Sequence, residues 1–357
     1  MSTTALVLPT DEEEIWRYSR IDELDLGSFQ PGTTRAVIEH GDGVMLRLDE
    51  ARASVGIAMT TAADVFAQLN ADNAAPISLR VKRNVVVPVT VLITHHLEQT
   101  GIVAYPRLVI DAGENSEITV IERFVSSDDV VSLVVPVVEI RAAQAARVTY
   151  LGINELGRQT WQIGHQHAVG ERDSTMRIFS VALGGDYARV RAEVRLVGQG
   201  ASAKQTALYF ADGKQMHDFR TWQVHEAPKT HSDLLFKGAV KDTAKSVYTG
   251  LIRIGEHAAG SQAFQTNRNL TLSHGAWAQS VPNLEIETND VKCSHASTIG
   301  PIDDDQRFYL ESRGISPDIA ERLVVLGFFD EVIGRLPEST FSDGLRAQVS
   351  TKLGDAK

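Results

Sequence analysis

Between Arg189 and Leu196 the chain alternates almost residue by residue. Val190, Ala192, Val194 and Leu196 fall on one side, Arg189, Arg191, Glu193 and Arg195 on the other. Successive side chains of a strand point to opposite faces, so this segment predicts a strand with one wet face. Further β-rich runs follow at 205–210, 219–224, 233–240, 246–254, 269–272 and 283–287. Their starts recur about every 14 residues, the regularity of a repeat. Gly198-Gln199-Gly200, Asp212-Gly213, Asp242-Thr243 and Gly255-Glu256 supply turns between them. A β-sandwich or barrel accommodates such a series, and so does a β-solenoid whose strands stack coil on coil. Small polar residues at inward positions suit stacked rungs, but the pattern alone leaves the two architectures open.

The ends of the chain read differently. Residues 12–20 and 61–70 have helical spacing, the second with Thr60 or Thr61 as cap and Val65 and Leu69 on one face. Residues 35–39 and 44–48 read as short strands around His40-Gly41-Asp42-Gly43. From Asp303 onward helical periodicity takes over. Asp303-Asp304-Asp305 suits the positive end of a helix dipole. Ser316-Pro317 opens a second helix with Ile319, Leu323 and Leu326 on its apolar face and Gly327 as its stop. Residues 329–336 and 342–353 complete a helical tail. The expected organisation is an N-terminal mixed region over 1–75, a β core over 76–302 and a C-terminal helical domain over 303–357.

Composition narrows the partners. The net charge of -11 over 357 residues argues against a phosphate-backbone binder, so no nucleic acid is expected. The apolar runs 85–93 and 130–140 are interrupted by Pro88 and Pro136 and are far short of the roughly 20 residues of a membrane span. No basic segment followed by an apolar stretch opens the chain, and one cysteine excludes an intramolecular disulfide. A cytoplasmic protein is expected.

The chemistry worth pursuing is sparse. Cys293 is the only cysteine, and His295 follows two positions later. Thiolate and imidazole bind iron, copper and zinc, yet an iron–sulfur cluster takes four cysteines and a structural zinc four ligands. A pair can hold metal only if other ligands come from elsewhere; otherwise Cys293 is a small packed hydrophobe. A competing set is His165, His167 and Glu171, the His-x-His-x3-Glu order of a cupin-like metal enzyme. That pattern expects a Gly seven residues after the Glu, where Ile178 stands, and its second motif is missing. No phosphate loop, dinucleotide fingerprint or nucleophile elbow occurs.

Longer motifs carry a family resemblance. Asp290-Val291-Lys292-Cys293-Ser294-His295-Ala296-Ser297-Thr298-Ile299-Gly300 and Phe308-Tyr309-Leu310-Glu311-Ser312-Arg313-Gly314-Ile315 resemble the C-terminal signature of the SufD family. SufD proteins are subunits of the SUF (SufBCD) iron–sulfur cluster assembly complex. Gln265-Thr266-Asn267-Arg268-Asn269-Leu270, Pro282-Asn283-Leu284-Glu285-Ile286, Leu235-Phe236-Lys237-Gly238, Leu183-Gly184-Gly185, His225 to Pro228 and Glu14-Ile15-Trp16-Arg17-Tyr18 extend the likeness over nearly the whole chain. Ala296 departs from the family's usual Gly. The sister family SufB is longer, with a His-Glu pair in place of Ser294-His295 and extra cysteines.

The resemblance implies a mainly β fold, a right-handed parallel β-helix core between a small N-terminal region and a C-terminal α-helical domain. It implies a non-catalytic scaffold that pairs with SufB through the β-helices and docks the ATPase SufC on its C-terminal helices. ATP binding by SufC would bring two ATPases together and deform the SufB–SufD interface, where a nascent iron–sulfur cluster or iron is held transiently. His295 matches the family's functional histidine, with Cys293 the weaker candidate, in a partial metal site completed by SufB. A reduced flavin has been proposed for the family, and no residue pattern here speaks to it. A homodimer of the isolated subunit is left open.

Overall fold

The computed structural model describes residues 7–47, 55–337 and 339–354. Two long sheets face each other and form a β-solenoid of about eight turns. One sheet runs Trp277–Ile286, Lys245–Ile254, Met216–His225, Tyr187–Leu196, Thr160–Gly170, Val137–Ala142, Arg107–Ala112, Pro76–Val81 and Val44–Arg47. The other runs Arg35–Glu39, Val91–His96, Glu117–Val125, Arg147–Glu155, Thr175–Ala182, Ser202–Ala211, His231–Val240, Ser261–Thr271 and Val291–Gly300. Each coil contributes one strand to each sheet, so the 14-residue recurrence is half a coil. Asp111 and Arg141, 30 residues apart, meet on adjacent coils.

Pairing along both stacks is parallel, except where Arg35–Glu39 and Val44–Arg47 pair antiparallel on the first coil. The turn at residues 40–43 therefore joins the two sheets. Residue 48, included in the expected strand, lies outside the described residues.

The interior is built by alternation. Val194 and Leu196 point inward and share a buried cluster with Ala203, Ile178 and Val148 of the facing sheet. The opposite set is drier than the sequence suggested: Arg189 is 3% exposed. The N-terminal segment lies over it. The Arg189 guanidinium stacks on the Trp16 ring at 3.9 Å. Its partner Asp218 is fully buried and also accepts from Arg220 at 2.6 Å and from the Tyr187 hydroxyl at 3.0 Å.

That segment is not the expected helix over 12–20. It forms three short 3-10 turns, Glu14–Trp16, Ile21–Glu23 and Leu26–Ser28. Tyr18 at φ 66° breaks any continuous helix, and burying Trp16 against Phe66 rather than a regular stripe sets the path. The next helix, α1 (Val65–Asn73), starts later than expected. Its cap is Asp64, whose carboxylate accepts from the N–H groups of Phe66 and Ala67, and not Thr60 or Thr61.

Three C-terminal helices follow, α2 (Asp304–Glu311), α3 (Pro317–Ile333) and α4 (Ser339–Leu353); α3 and α4 cover the other sheet's outer face and α2 packs on α3. Asp303 caps α2 as expected, accepting from Asp305 and Gln306. Gly327 does not stop α3; the helix runs through it to Ile333. Its buried side is Ala320, Val325, Phe329, Val332 and Ile333, packed on Phe210, Leu208 and Leu235. Ile319 and Leu323, expected on the buried face, are 43% and 45% exposed. Lys237 ties α3 down, donating to the Phe328 carbonyl at 2.8 Å and pairing with Glu331 at 2.7 Å.

Candidate functional site

The last strand, Val291–Gly300, lies in register on Ser261–Thr271: Cys293 stacks on Ala263 and His295 on Gln265. Ala263 and Gln265 are buried. Residues in register share a face, so Cys293, His295, Ser297 and Ile299 continue the inward side of the stack. Among the described residues no further coil covers them. His295 and Ser297 are exposed and Ile299 is 42% exposed. Across the opening, Leu284 and Ile286 are 39% and 44% exposed, although both stack on the buried Ile252 and Ile254. Trp277–Ile286 and Val291–Gly300 each end their sheet, so each presents one unpaired edge. Such edges are templates for another chain.

The two candidate ligands differ in character. Cys293 is half-buried and packs with Ile252, Ile254, Ala258 and Ala263. Burial pushes its thiol pKa up. A thiol in such surroundings stays protonated until a metal or neighbouring cation draws the proton away. His295 stands free on the open face and makes no hydrogen bond among the described residues. Two positions on one strand are about 6.6 Å apart, within reach of a shared ion. Among the described residues no group of three or more His, Cys, Asp and Glu side chains converges on a common point.

The layer beneath holds polar groups that the spacing of Cys293 and His295 does not mark. Gln265 is 2% exposed, and neither its Oε1 nor its Nε2 has a partner. The Ser280 Oγ is likewise buried and unpartnered. The sequence held one hint: a polar residue at an inward position of the penultimate coil, stacked on the apolar Leu234.

The chain's central segment, 95–328, matches the family model described as SUF system FeS cluster assembly, SufBD core domain. The chain belongs to the SufBD family. It is 35% identical to an iron–sulfur cluster assembly SufBD family protein of Mycobacterium tuberculosis (strain ATCC 25618 / H37Rv), over 98% of this chain and 90% of that one. It is 29% identical to the iron–sulfur cluster assembly protein SufD of Escherichia coli (strain K12), over 97% and 89% of the two chains. The SufD of Bacillus subtilis (strain 168) is 30% identical over 72% of this chain and 60% of its own. A SufD type of subunit, read from the Cys-Ser-His signature, accords with both named relatives.

The cupin-like set does not assemble in this SufBD fold. His165 and His167 lie on the strand Thr160–Gly170 with their rings stacked at 6.2 Å. The His165 Nε2 meets Asp64 at 2.9 Å, beneath the N-terminal segment. Burial holds the His167 pKa down to about 3. Glu171 follows the strand and pairs with Arg141 at 3.6 Å. Three residues separate it from His167, about 13 Å from end to end in an extended chain, and among the described residues these side chains form no cluster that could hold a metal. These histidines are packing residues between the solenoid and its N-terminal cover. Among the described residues no helix is long and apolar enough to cross a membrane.

Proposed function

We propose that this chain is a non-catalytic scaffold subunit of the SUF complex, acting in the cytoplasm. It pairs with SufB through the open end of its solenoid and contributes His295 to a metal site that SufB completes. The observation that carries the reading is the unfinished last coil. Two unpaired edges, an apolar rim of Leu284, Ile286 and Ile299, and a free imidazole converge there, with too few donors to close a coordination sphere. Iron or the nascent cluster is the cargo of such a site, and incomplete ligation keeps it transferable. Cys293 plays the lesser part, since its thiol is packed and its pKa raised. A second copy of the chain can occupy the same rim when SufB is missing.

The helical unit over 303–357, set on the β core over 76–302 and apart from the N-terminal region over 1–75, is the dock for SufC. A groove of about 830 Å³ runs between α2, α3 and the sheet, lined by Lys237, Arg268, Tyr309, Leu323 and Phe328. Phe308 is 69% exposed beside it.

Co-purification with SufB and SufC, then anaerobic reconstitution followed by visible absorption, tests the whole reading. The His295→Ala complex is expected to assemble normally and to lose the cluster absorption. Wild-type cluster formation in that variant would refute the assignment of His295. The purified chain alone is expected to carry no stoichiometric iron.

A further inference from the structure

Gln265 is a buried polar residue that the fold leaves without a partner at either end of its amide. Both polar atoms of its amide are enclosed and unpaired, an unfavourable state for any buried amide. Its surroundings offer no relief. One coil back in register stands Leu234. Beside it on the same face is Ala263. Asn267 is already engaged, donating to the Tyr209 hydroxyl at 2.8 Å and accepting from Asn269 at 2.8 Å. Opposite is Gly250, where a Cβ would sit 2.7 Å from both amide atoms. Glycine at 250 leaves room for both the Gln265 amide and the Tyr248 hydroxyl, the latter already paired with Thr221 at 2.9 Å.

Forward of it, on the next coil, His295 stands in register. Adjacent strands are about 4.8 Å apart, the separation at which stacked polar side chains form hydrogen-bonded ladders. His295 is exposed and its imidazole has no competing partner, so a rotation about its side-chain bonds suffices to bring the ring onto the amide.

We propose that Gln265 is the positioning residue of His295: its Oε1 accepts the N–H of one ring nitrogen and so leaves the other, with its lone pair, directed out of the open coil. The inference rests on the reading of His295 as a metal ligand for its purpose, and on geometry alone for the contact. A histidine ligand is oriented and made more basic by the acceptor behind it, and loss of that acceptor costs about 10–100-fold in metal affinity or activity. Ser280, with its own unpartnered hydroxyl, is the competing partner for the amide.

Ring-nitrogen NMR shifts of the isolated, 15N-histidine-labelled chain, with His295 assigned from the His295→Ala spectrum, report its tautomer without any metal. A single neutral tautomer is expected in the wild type and in Gln265→Glu, which keeps an acceptor oxygen. A mixture of both tautomers is expected in Gln265→Leu. The same tautomer composition in the wild type and Gln265→Leu overturns the proposal. So does loss of the single tautomer in Ser280→Ala when Gln265→Leu retains it. In the SufB–SufC complex, Gln265→Leu is expected to lower cluster yield about tenfold or more, toward the His295→Ala level. Wild-type yield from Gln265→Leu, measured beside a defective His295→Ala, overturns it as well. If His295→Ala itself gives wild-type yield, the metal role of His295 fails while the tautomer result stands on its own.

Discussion

At Asp218 the chain buries a carboxylate completely and surrounds it with Arg189, Arg220 and the Tyr187 hydroxyl. Burial alone would raise its pKa; the two guanidinium groups outweigh that and hold it below the ordinary value. Arg189 in turn donates to the Ile15 carbonyl and stacks on Trp16, and Arg220 donates to the Arg17 carbonyl. Asp218→Asn leaves two buried cations short of their anion and is expected to cost about 3–5 kcal/mol. Urea unfolding measures the loss, and an earlier change in tryptophan emission would mark release of the N-terminal segment. Alternation in residues 189–196 revealed the pleat correctly. It could not reveal which outward residues another segment covers, because Arg189 and Arg195 look the same in sequence. The same limit hid Gln265: an inward glutamine reads as a strand residue until its lack of partners is seen.

Helix α3 illustrates what periodicity hides at the level of an element. Its apolar residues occur nearly all round, so the spacing of Ile319, Leu323 and Leu326 was as good a stripe as the one the fold uses. Packing on Phe210 and Leu235 chose the face that carries Val325 and Phe329. A glycine in a long apolar helix costs about 1 kcal/mol and does not end it when burial on either side exceeds that. The Cβ of a residue at Gly327 would meet nothing within 4 Å, so no steric need placed a stop there. Leu323, left 45% exposed, becomes a probe of the proposed SufC dock. Leu323→Asp is expected to leave the thermal midpoint nearly unchanged and to weaken SufC binding about tenfold or more, as loss of a central apolar contact does. Titration calorimetry or a pull-down series checks it; undiminished binding would remove this face from the dock.

At the scale of the molecule, His167, His217 and His225 are buried among the described residues with their pKa values pushed down. Burial, the leading cause in each, holds the pKa of His167 and His217 down to about 3 and that of His225 to about 4. The unfolded chain takes up these protons below about pH 6.5, while the folded chain refuses them until far lower. Their contribution to stability is therefore full above pH 6.5 and declines as pH falls through 6 and 5. The slope is about 1.4 kcal/mol per pH unit for each ring. Urea midpoints at pH 7.5, 6.0 and 5.0 should fall steeply across that interval; a flat profile would contradict neutral burial. The strand spacing made coils legible at this scale, but not their stacking, since hairpins and solenoid rungs satisfy the same alternation. The motifs shared with the SufD family decided that point before any pairing was known. Each interior coil is braced by two neighbours, whereas the terminal coil is braced by one. In a stacked array with nearest-neighbour energetics, opening fluctuations are cheapest at such a boundary. His295 thus rides on a boundary coil, where the proposed cargo would be admitted and surrendered without disturbing the coils behind it.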